Sequence, residues 1–148
     1  MQIPQFIPQG AMSDTLLCIA CAQGCVDIHE TSSGQRIDTI EFRSGFCRTI
    51  EMSPNGKLLA VGMENRGLFL YTIQSPVHCM TPTPIETNAS VNCIAFSPNS
   101  AFMSFCTSDN NISTYGLEND VPIFLSNYNR ELDIKSCQHP YYGVTSLA

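Results

Sequence analysis

An internal repeat constrains the fold of this chain more than any other feature of its sequence. Residues 45–71 and 89–115 are two copies of one unit. The tripeptide Ser-Pro-Asn at 53–55 recurs at 97–99, an offset of 44 residues between positions 53 and 97. A chain that repeats itself at this spacing is built from copies of one supersecondary unit, each packed against the next.

Each copy has the pattern of short strands separated by turns. In the clearer copy, residues 47–52 form an apolar run that ends at Ser-Pro-Asn-Gly, residues 53–56. This tetrapeptide predicts a turn, because Pro presets φ and Asn-Gly tolerates positive φ. Residues 58–63 and 68–73 are predicted as the next two strands, joined by a hairpin at 64–67. A period of about 40–45 residues made of short strands is typical of a β-propeller blade.

A third, weaker copy lies upstream, where residues 16–20 and 26–29 match two strands of the clearer copy. The sequence therefore predicts an all-β fold of about three four-stranded antiparallel propeller blades plus the start of another, an incomplete β-propeller. The predicted organisation is an N-terminal arm or edge strand (1–11), a degenerate blade one (12–42), blade two (43–87), blade three (88–130), and a linker with the first strand of a further blade (131–148). The Pro-rich stretch 75–84 is predicted to be a long surface connection, followed by a fourth strand near 84–87.

Over roughly residues 12–126 these repeats resemble those of the WD-repeat family. A typical repeat of that family ends its third strand with Trp-Asp, and the Trp position is held here by His29, Tyr71 and Tyr115. The family's turn aspartate precedes that position by six residues, which gives Asp109 in the third copy but Asn65 and Gln23 in the other two. The Gly-His pair of the family is missing from copies two and three. The resemblance implies structural roles, rather than catalytic ones, for five repeat positions: Asp109, Tyr71, Tyr115, Pro54 and Pro98.

The repeats stop short of a closed ring. Residues 144–148 parallel 91–95, as the opening strand of a further blade. Closed propellers have about 4–8 blades. Either the chain is a fragment of a longer protein, which is the favoured interpretation, or another chain supplies the missing blades, or the product is truncated and exposes open sheet edges.

Composition excludes several classes of function. The net charge is −6, and only seven residues are Lys or Arg, so nucleic-acid binding is not expected. No run reaches the roughly 18 apolar residues that a membrane helix needs, and the N-terminus lacks the basic region of a secretory signal. An intracellular protein is expected, with the cytoplasm favoured over the nucleus and most of its eight cysteines reduced.

Neither a metal site, a cofactor nor a catalytic centre is expected from the motifs. The spacing Cys18-x-x-Cys21-x-x-x-Cys25 resembles a metal cluster, but Cys18 and Cys21 lie three apart on a predicted strand and so point to opposite faces. Small core thiols are the favoured interpretation. The three histidines form no recognisable catalytic order, and no phosphate-binding loop is present, so the chain is predicted not to be an enzyme.

Two functions follow from these patterns. The first is a non-catalytic scaffold of WD-repeat type that presents loops to protein or peptide partners within a larger assembly. The contact loops would lie at 23–25, 64–67, 109–111 and 75–84. The alternative is a phosphoinositide-binding propeller, because Phe42-Arg43-Ser44-Gly45 is similar to the Phe-Arg-Arg-Gly motif of such propellers, and Arg43 would contact a lipid phosphate.

Overall fold

The computed structural model describes residues 10–21, 24–42, 45–74, 78–79 and 82–129. Within these residues the chain forms thirteen β-strands and no helix, so no helix there could cross a membrane. The strands are β1 (Gly10–Met12), β2 (Leu16–Cys21), β3 (Cys25–Glu30), β4 (Arg36–Glu41), β5 (Cys47–Met52), β6 (Leu58–Met63), β7 (Leu68–Gln74), β8 (His78–Cys79), β9 (Thr83–Ile85), β10 (Val91–Phe96), β11 (Phe102–Thr107), β12 (Asn111–Glu118) and β13 (Val121–Asn129).

The strands form three antiparallel sheets, one for each blade. Blade one has the order β1-β2-β3-β4, and blade three the order β10-β11-β12-β13. In blade two, β5-β6-β7 are followed by a fourth position in two pieces: β9 pairs with the first half of β7, and β8 with its last two residues. The innermost strands β1, β5 and β10 lie side by side, so the three sheets form an open arc of propeller blades. The predicted fold class is confirmed; residues 131–148, assigned to the start of a further blade, lie outside the described residues.

The hairpin between the second and third strands has the same register in every blade. The residue at the Trp position of the repeat pairs with Leu17 in blade one, Leu59 in blade two and Met103 in blade three. These partners are themselves equivalent positions of the repeat. The strands predicted at 47–52 and 58–63 coincide with β5 and β6. The sequence period is therefore a true structural period.

Two predicted boundaries differ from the structure. The division between the arm (1–11) and blade one falls inside β1, which pairs with β2 and is the innermost strand of blade one. The stretch 75–84 is also not entirely a connection, because β8 lies within it and β9 ends it. Pro84 is accommodated in β9 because this is an edge strand, where one missing N–H leaves no gap in the ladder.

Two layers of the core lie between the blades, and a smaller cluster of Cys93 and Cys106, with Ile112 beside them, lies within blade three. One layer joins blades one and two and includes Val26, Ile28 and Leu59; the other joins blades two and three and includes Leu58 and Met103. All six residues of β6 are buried, because blade two is covered on both faces. Blades one and three each have one face that no other described blade covers.

Gly62, the fifth of the six residues of β6, lies where blade two packs closely against blade three. A Cβ atom placed on Gly62 would lie 2.7 Å from Cγ1 of Val91 in β10 and 2.8 Å from Cγ2 of Thr49 in β5. The equivalent residues are Ala20 in blade one and Cys106 in blade three. The position requires a small side chain because neighbouring strands pack directly against it.

The Ser-Pro-Asn turns of blades two and three have the same hydrogen bonds. The Ser53 hydroxyl accepts a bond from Leu58 N at 3.0 Å and donates one to Asn55 Oδ1 at 2.7 Å. In blade three, Ser97 accepts from Phe102 N at 2.9 Å and donates to Asn99 Oδ1 at 2.7 Å. This arrangement explains why Ser and Asn recur at fixed spacing: each satisfies backbone or side-chain groups of the turn.

The turns of successive blades also contact one another. Asn55 N donates to the hydroxyl of Ser100 at 3.1 Å, which joins the turn of blade two to that of blade three. Gly56 has positive φ, and a Cβ there would lie 3.6 Å from Cβ of Ser13 in blade one. Neighbouring blades are therefore connected at this end of the sheets by their turns as well as by their cores.

Candidate functional site

The end of the blades opposite the Ser-Pro-Asn turns is called here the loop face. It consists of the hairpins between the second and third strands and the connections that lead from one blade to the next. These segments are bonded together: Glu64 N donates to Phe46 O at 2.8 Å, and Ser108 N to Ser90 O at 2.9 Å. The hydroxyl of Ser90 also donates to Glu64 O. The loops of this face are therefore held in position by the blades beneath them.

Two cavities open on the loop face where blades two and three meet. The first, of about 140 Å³, is lined by side chains of blade three that include Thr107, Asp109 and Tyr115. The second, of about 480 Å³, is lined by residues of blade two that include Arg66 and Phe69. Residues 86–88, Glu-Thr-Asn, line both cavities and separate them. Nothing in the repeat pattern distinguishes residues 86–88, so their place between the cavities could not be predicted from the sequence.

A hydroxyl fixes the segment between the cavities. Thr87 Oγ1 accepts a bond from Gly67 N at 2.6 Å and donates one to Ala89 O at 2.8 Å. Gly67 has positive φ, which suits a hairpin position without a side chain. The exposed side chains of Glu86 and Arg66 extend from this fixed backbone. These two residues place one negative and one positive charge on the fixed segment between the cavities.

Asp109, one of the predicted repeat positions, lies in the smaller cavity. Its carboxylate accepts a hydrogen bond from the buried hydroxyl of Thr107, which orders the hairpin before β12. Tyr115 lines the same cavity; its ring stacks on Phe105 at a centroid distance of 5.9 Å and meets Phe124 edge-on at 5.6 Å. Partial burial raises the pKa of the Tyr115 phenol. The structure thus brings two predicted positions together at one cavity.

The other predicted repeat positions lie elsewhere. Tyr71 is buried in the layer between blades one and two. Pro54 and Pro98 are exposed on the Ser-Pro-Asn turns, at the opposite end of the blades. His29, at the Trp position of blade one, has its Nδ1 at 3.0 Å from Gly34 O. These residues shape the blades and turns and do not contribute to the loop-face cavities.

The predicted contact loops are only partly described. Residues 64–67 and 109–111 belong to the loop face and supply lining residues to the cavities. Much of 75–84 lies outside the described residues, although Pro84 lines the larger cavity. Arg43 and Ser44, the core of the lipid-binding alternative, also lie outside the described residues. Phe42 beside them packs partly buried against the core of blades one and two.

One group of described side chains has the composition of a metal site. Cys21, Cys25 and Asp27 place their ligand atoms within 4.8 Å of one another on blade one. Cys18 and Cys21 lie on opposite faces of β2, as predicted, with Cys18 buried in the core. Cys25 instead lies directly opposite Cys21 across the hairpin between β2 and β3, a pairing that was not predicted from the sequence.

The blades are similar to repeats of known proteins. The family model "WD domain, G-beta repeat" matches residues 74–115, a segment that ends at the Trp position held by Tyr115. The chain is 26% identical over 105 residues to Protein groucho of Drosophila melanogaster, a match that covers 67% of this chain and 14% of that protein. It is 30% identical over 93 residues to Periodic tryptophan protein 2 homolog of Neurospora crassa, covering 62% of this chain and 10% of that protein.

A solved structure shows the same architecture. The β-propeller domain of Cps50 (Swd1) from Myceliophteria thermophila superimposes with a TM-score of 0.64 at 14% sequence identity, over 82% of this chain and 41% of that one. At this identity the likeness concerns the fold alone. The chain spans a small part of the length of its curated relatives and less than half of this structural neighbour. The three repeated blades and this structural likeness show a β-propeller fold, and over residues 74–115 the repeat is similar to that of the WD-repeat family.

Proposed function

We propose that this chain is the part of a non-catalytic scaffold that presents the loop face of blades two and three to a protein or peptide partner within a larger assembly. WD-repeat propellers generally act as protein-interaction scaffolds, in which rigid sheets carry variable loops. The contact surface is the loop face at the junction of blades two and three. An intracellular location, with the cytoplasm favoured, is part of the same proposal.

The observation that carries the proposal is the pair of cavities on either side of residues 86–88. Adjoining depressions of about 140 and 480 Å³ can each receive a side chain of one extended segment. The backbone between them is fixed by the Thr87 hydroxyl, so little conformational entropy is lost when a partner binds. Pre-organised loops with shallow, partly apolar cavities suit a peptide better than a small molecule.

The charges of the rim indicate the character of the partner. Arg66 lines the larger cavity, Asp109 lines the smaller one, and Glu86 lines both. A complementary segment would place an acidic group near Arg66 and a basic group near Asp109. Charges at a rim affect specificity and association rate more than affinity, so exchanging them should change partner selection without unfolding the blade.

A charge exchange on the loop face tests the proposal. Arg66→Glu combined with Glu86→Lys leaves the net charge of the chain unchanged but inverts the rim. The matched control, Lys57→Glu with Glu118→Lys, makes the same exchange on exposed residues at the opposite end of the blades. Each version is expressed in the native cells, and associated proteins are quantified by affinity purification and mass spectrometry.

Partners that depend on the loop face should fall at least tenfold with the first variant and remain with the control. Equal recovery of every partner with both variants would refute the assignment of the loop face, as would selective loss with the control variant. Circular dichroism of the purified variants establishes that the blades remain folded in both cases.

A further inference from the structure

Three potential metal ligands converge on the face of blade one that no described blade covers. Cys21 ends β2, Cys25 begins β3, and the two residues are directly opposite each other in the strand register. Asp27 follows Cys25 by two positions, so its side chain projects from the same face of the sheet. All three side chains are partly exposed, and a cation from solvent can therefore reach them.

We propose that Cys21, Cys25 and Asp27 bind a divalent cation of zinc type. Two thiolates and one carboxylate are ligands that Zn²⁺ accepts, with a fourth position left for water or another ligand. In a tetrahedral zinc site the sulfur-to-oxygen edge is about 3.5 Å, from Zn–S near 2.3 Å and Zn–O near 2.0 Å. The distance from Cys21 Sγ to Asp27 Oδ2 is 3.4 Å, so these two ligands need little rearrangement.

A second layer of contacts orients the carboxylate. Asp27 Oδ1 accepts a hydrogen bond from the Thr39 hydroxyl at 2.9 Å, and Thr39 is the residue opposite Asp27 on β4. Metal-binding carboxylates are commonly held in this way by a partner that occupies the second oxygen.

The repeat provides an internal comparison. The positions equivalent to Cys21, Cys25 and Asp27 are Met63, Gly67 and Phe69 in blade two, and Thr107, Asn111 and Ser113 in blade three. The propeller fold therefore does not require a thiol or a carboxylate at any of the three positions. Only blade one places two thiols and a carboxylate together there, and the fold alone gives no reason for this choice.

Two features of the metal-free group oppose binding, and both can be overcome. Burial, together with bonds to Cys25 and Asp27, raises the pKa of Cys21 to about 11, so the thiol is protonated until a cation displaces the proton. Arg36 places its guanidinium 3.9 Å from Asp27 Oδ2, but its side chain is 63% exposed and can turn into solvent. Arg36 competes with a cation and does not block the site.

Cobalt and zinc titrations of the complete 148-residue chain, kept reduced with a phosphine, test the proposal. Co²⁺ bound to thiolates in a tetrahedral site has intense visible bands and a near-ultraviolet charge-transfer band, and zinc should displace it. Cys21→Ser with Cys25→Ser should abolish the bands. Thr39→Val retains all three ligands and should weaken binding about tenfold.

The matched control is Cys18→Ala, on the same strand but the opposite face, where blade two has Ala60 at the equivalent position. This variant should bind one ion with the affinity of the parent. Absence of the charge-transfer band from the parent chain would refute the proposal, as would an unchanged titration after both serine substitutions. Asp27→Asn removes the carboxylate ligand but keeps both thiols and the size of the side chain. It therefore tests whether Asp27 takes part in metal binding even if the double variant does not fold.

Discussion

Gly62 offers a sharp test of how tightly the blades pack. The change Gly62→Ala adds one methyl group at the point where β6 approaches β10. That carbon would lie 2.7 Å from Val91 Cγ1 and 2.8 Å from Thr49 Cγ2. Favourable carbon–carbon contacts lie near 3.5–4.0 Å, so the neighbouring groups would have to move by about 0.7 Å or more.

The expected loss of stability follows from these distances. Overpacking a well-packed core by one methyl group costs about 1–3 kcal/mol. Both neighbours are β-branched and cannot easily turn away, which places the cost in the upper half of that range. Alanine in a strand recovers about 0.5–1 kcal/mol of the entropy that glycine loses. The net destabilisation should therefore be about 1–2.5 kcal/mol, or a fall in Tm of roughly 2–10 °C for a chain of this size.

Thermal unfolding followed by circular dichroism measures this effect, with Gly116→Ala as the control. Gly116 is also a strand glycine, but a Cβ there would meet its nearest neighbour, Leu125 Cδ1, at an ordinary contact distance of 3.6 Å. The control should leave Tm unchanged or raise it slightly. A Tm for Gly62→Ala within about 1 °C of the parent, or an equal loss for both variants, would refute the argument from close packing.

Three further predictions concern single side chains. Ser53→Ala should destabilise the chain by about 1–2 kcal/mol, more than Ser97→Ala, because the bond from Leu58 N to the Ser53 hydroxyl is buried while the equivalent bond in blade three is exposed. Urea unfolding of both variants compares them. Tyr115→Phe should change Tm little because the ring contacts remain. Tyr115→Ala removes these contacts and should lower the free energy of unfolding by about 2 kcal/mol or more. Equal Tm values for the two variants would contradict a role based on the ring. Burial raises the pKa of the Cys47 thiol from 9.0 to about 12. The stability that the buried thiol contributes is therefore complete below pH 9 and is lost as the thiol ionises in the unfolded chain between pH 9 and about 12. Between pH 8 and pH 10 the free energy of unfolding of the parent should fall by about 1 kcal/mol more than that of Cys47→Ala.

The sequence was sufficient for most of the blades because the first three strands of blades two and three could be compared with a second copy. A turn such as Ser-Pro-Asn indicates the end of a strand, and its recurrence 44 residues later (position 97 against 53) indicates the unit of repetition. β1 has no such support: it is three residues long, follows an arm without a clear pattern, and is a strand only because β2 pairs with it. The broken fourth position of blade two is equally a consequence of pairing and not of local preference.

The candidate sites were harder to predict than the fold, for a different physical reason. Residues 86–88 become a partition between two cavities only after blades two and three are placed together. The grouping of Cys21 with Cys25 depends on the register of the hairpin between β2 and β3, whereas the bond from Thr39 to Asp27 depends on the pairing of β3 with β4. Periodicity determines which face a residue occupies; the distances within a site come from the way strands and blades assemble.

The contact between turns of adjacent blades has a consequence for how this sequence can diverge. Asn55 of one blade bonds through its backbone N–H to the side chain of Ser100 in the next, and Gly56 is fitted against Ser13 in the blade before. A substitution in one turn is therefore felt by a turn about forty residues away, and the copies cannot drift independently at these positions.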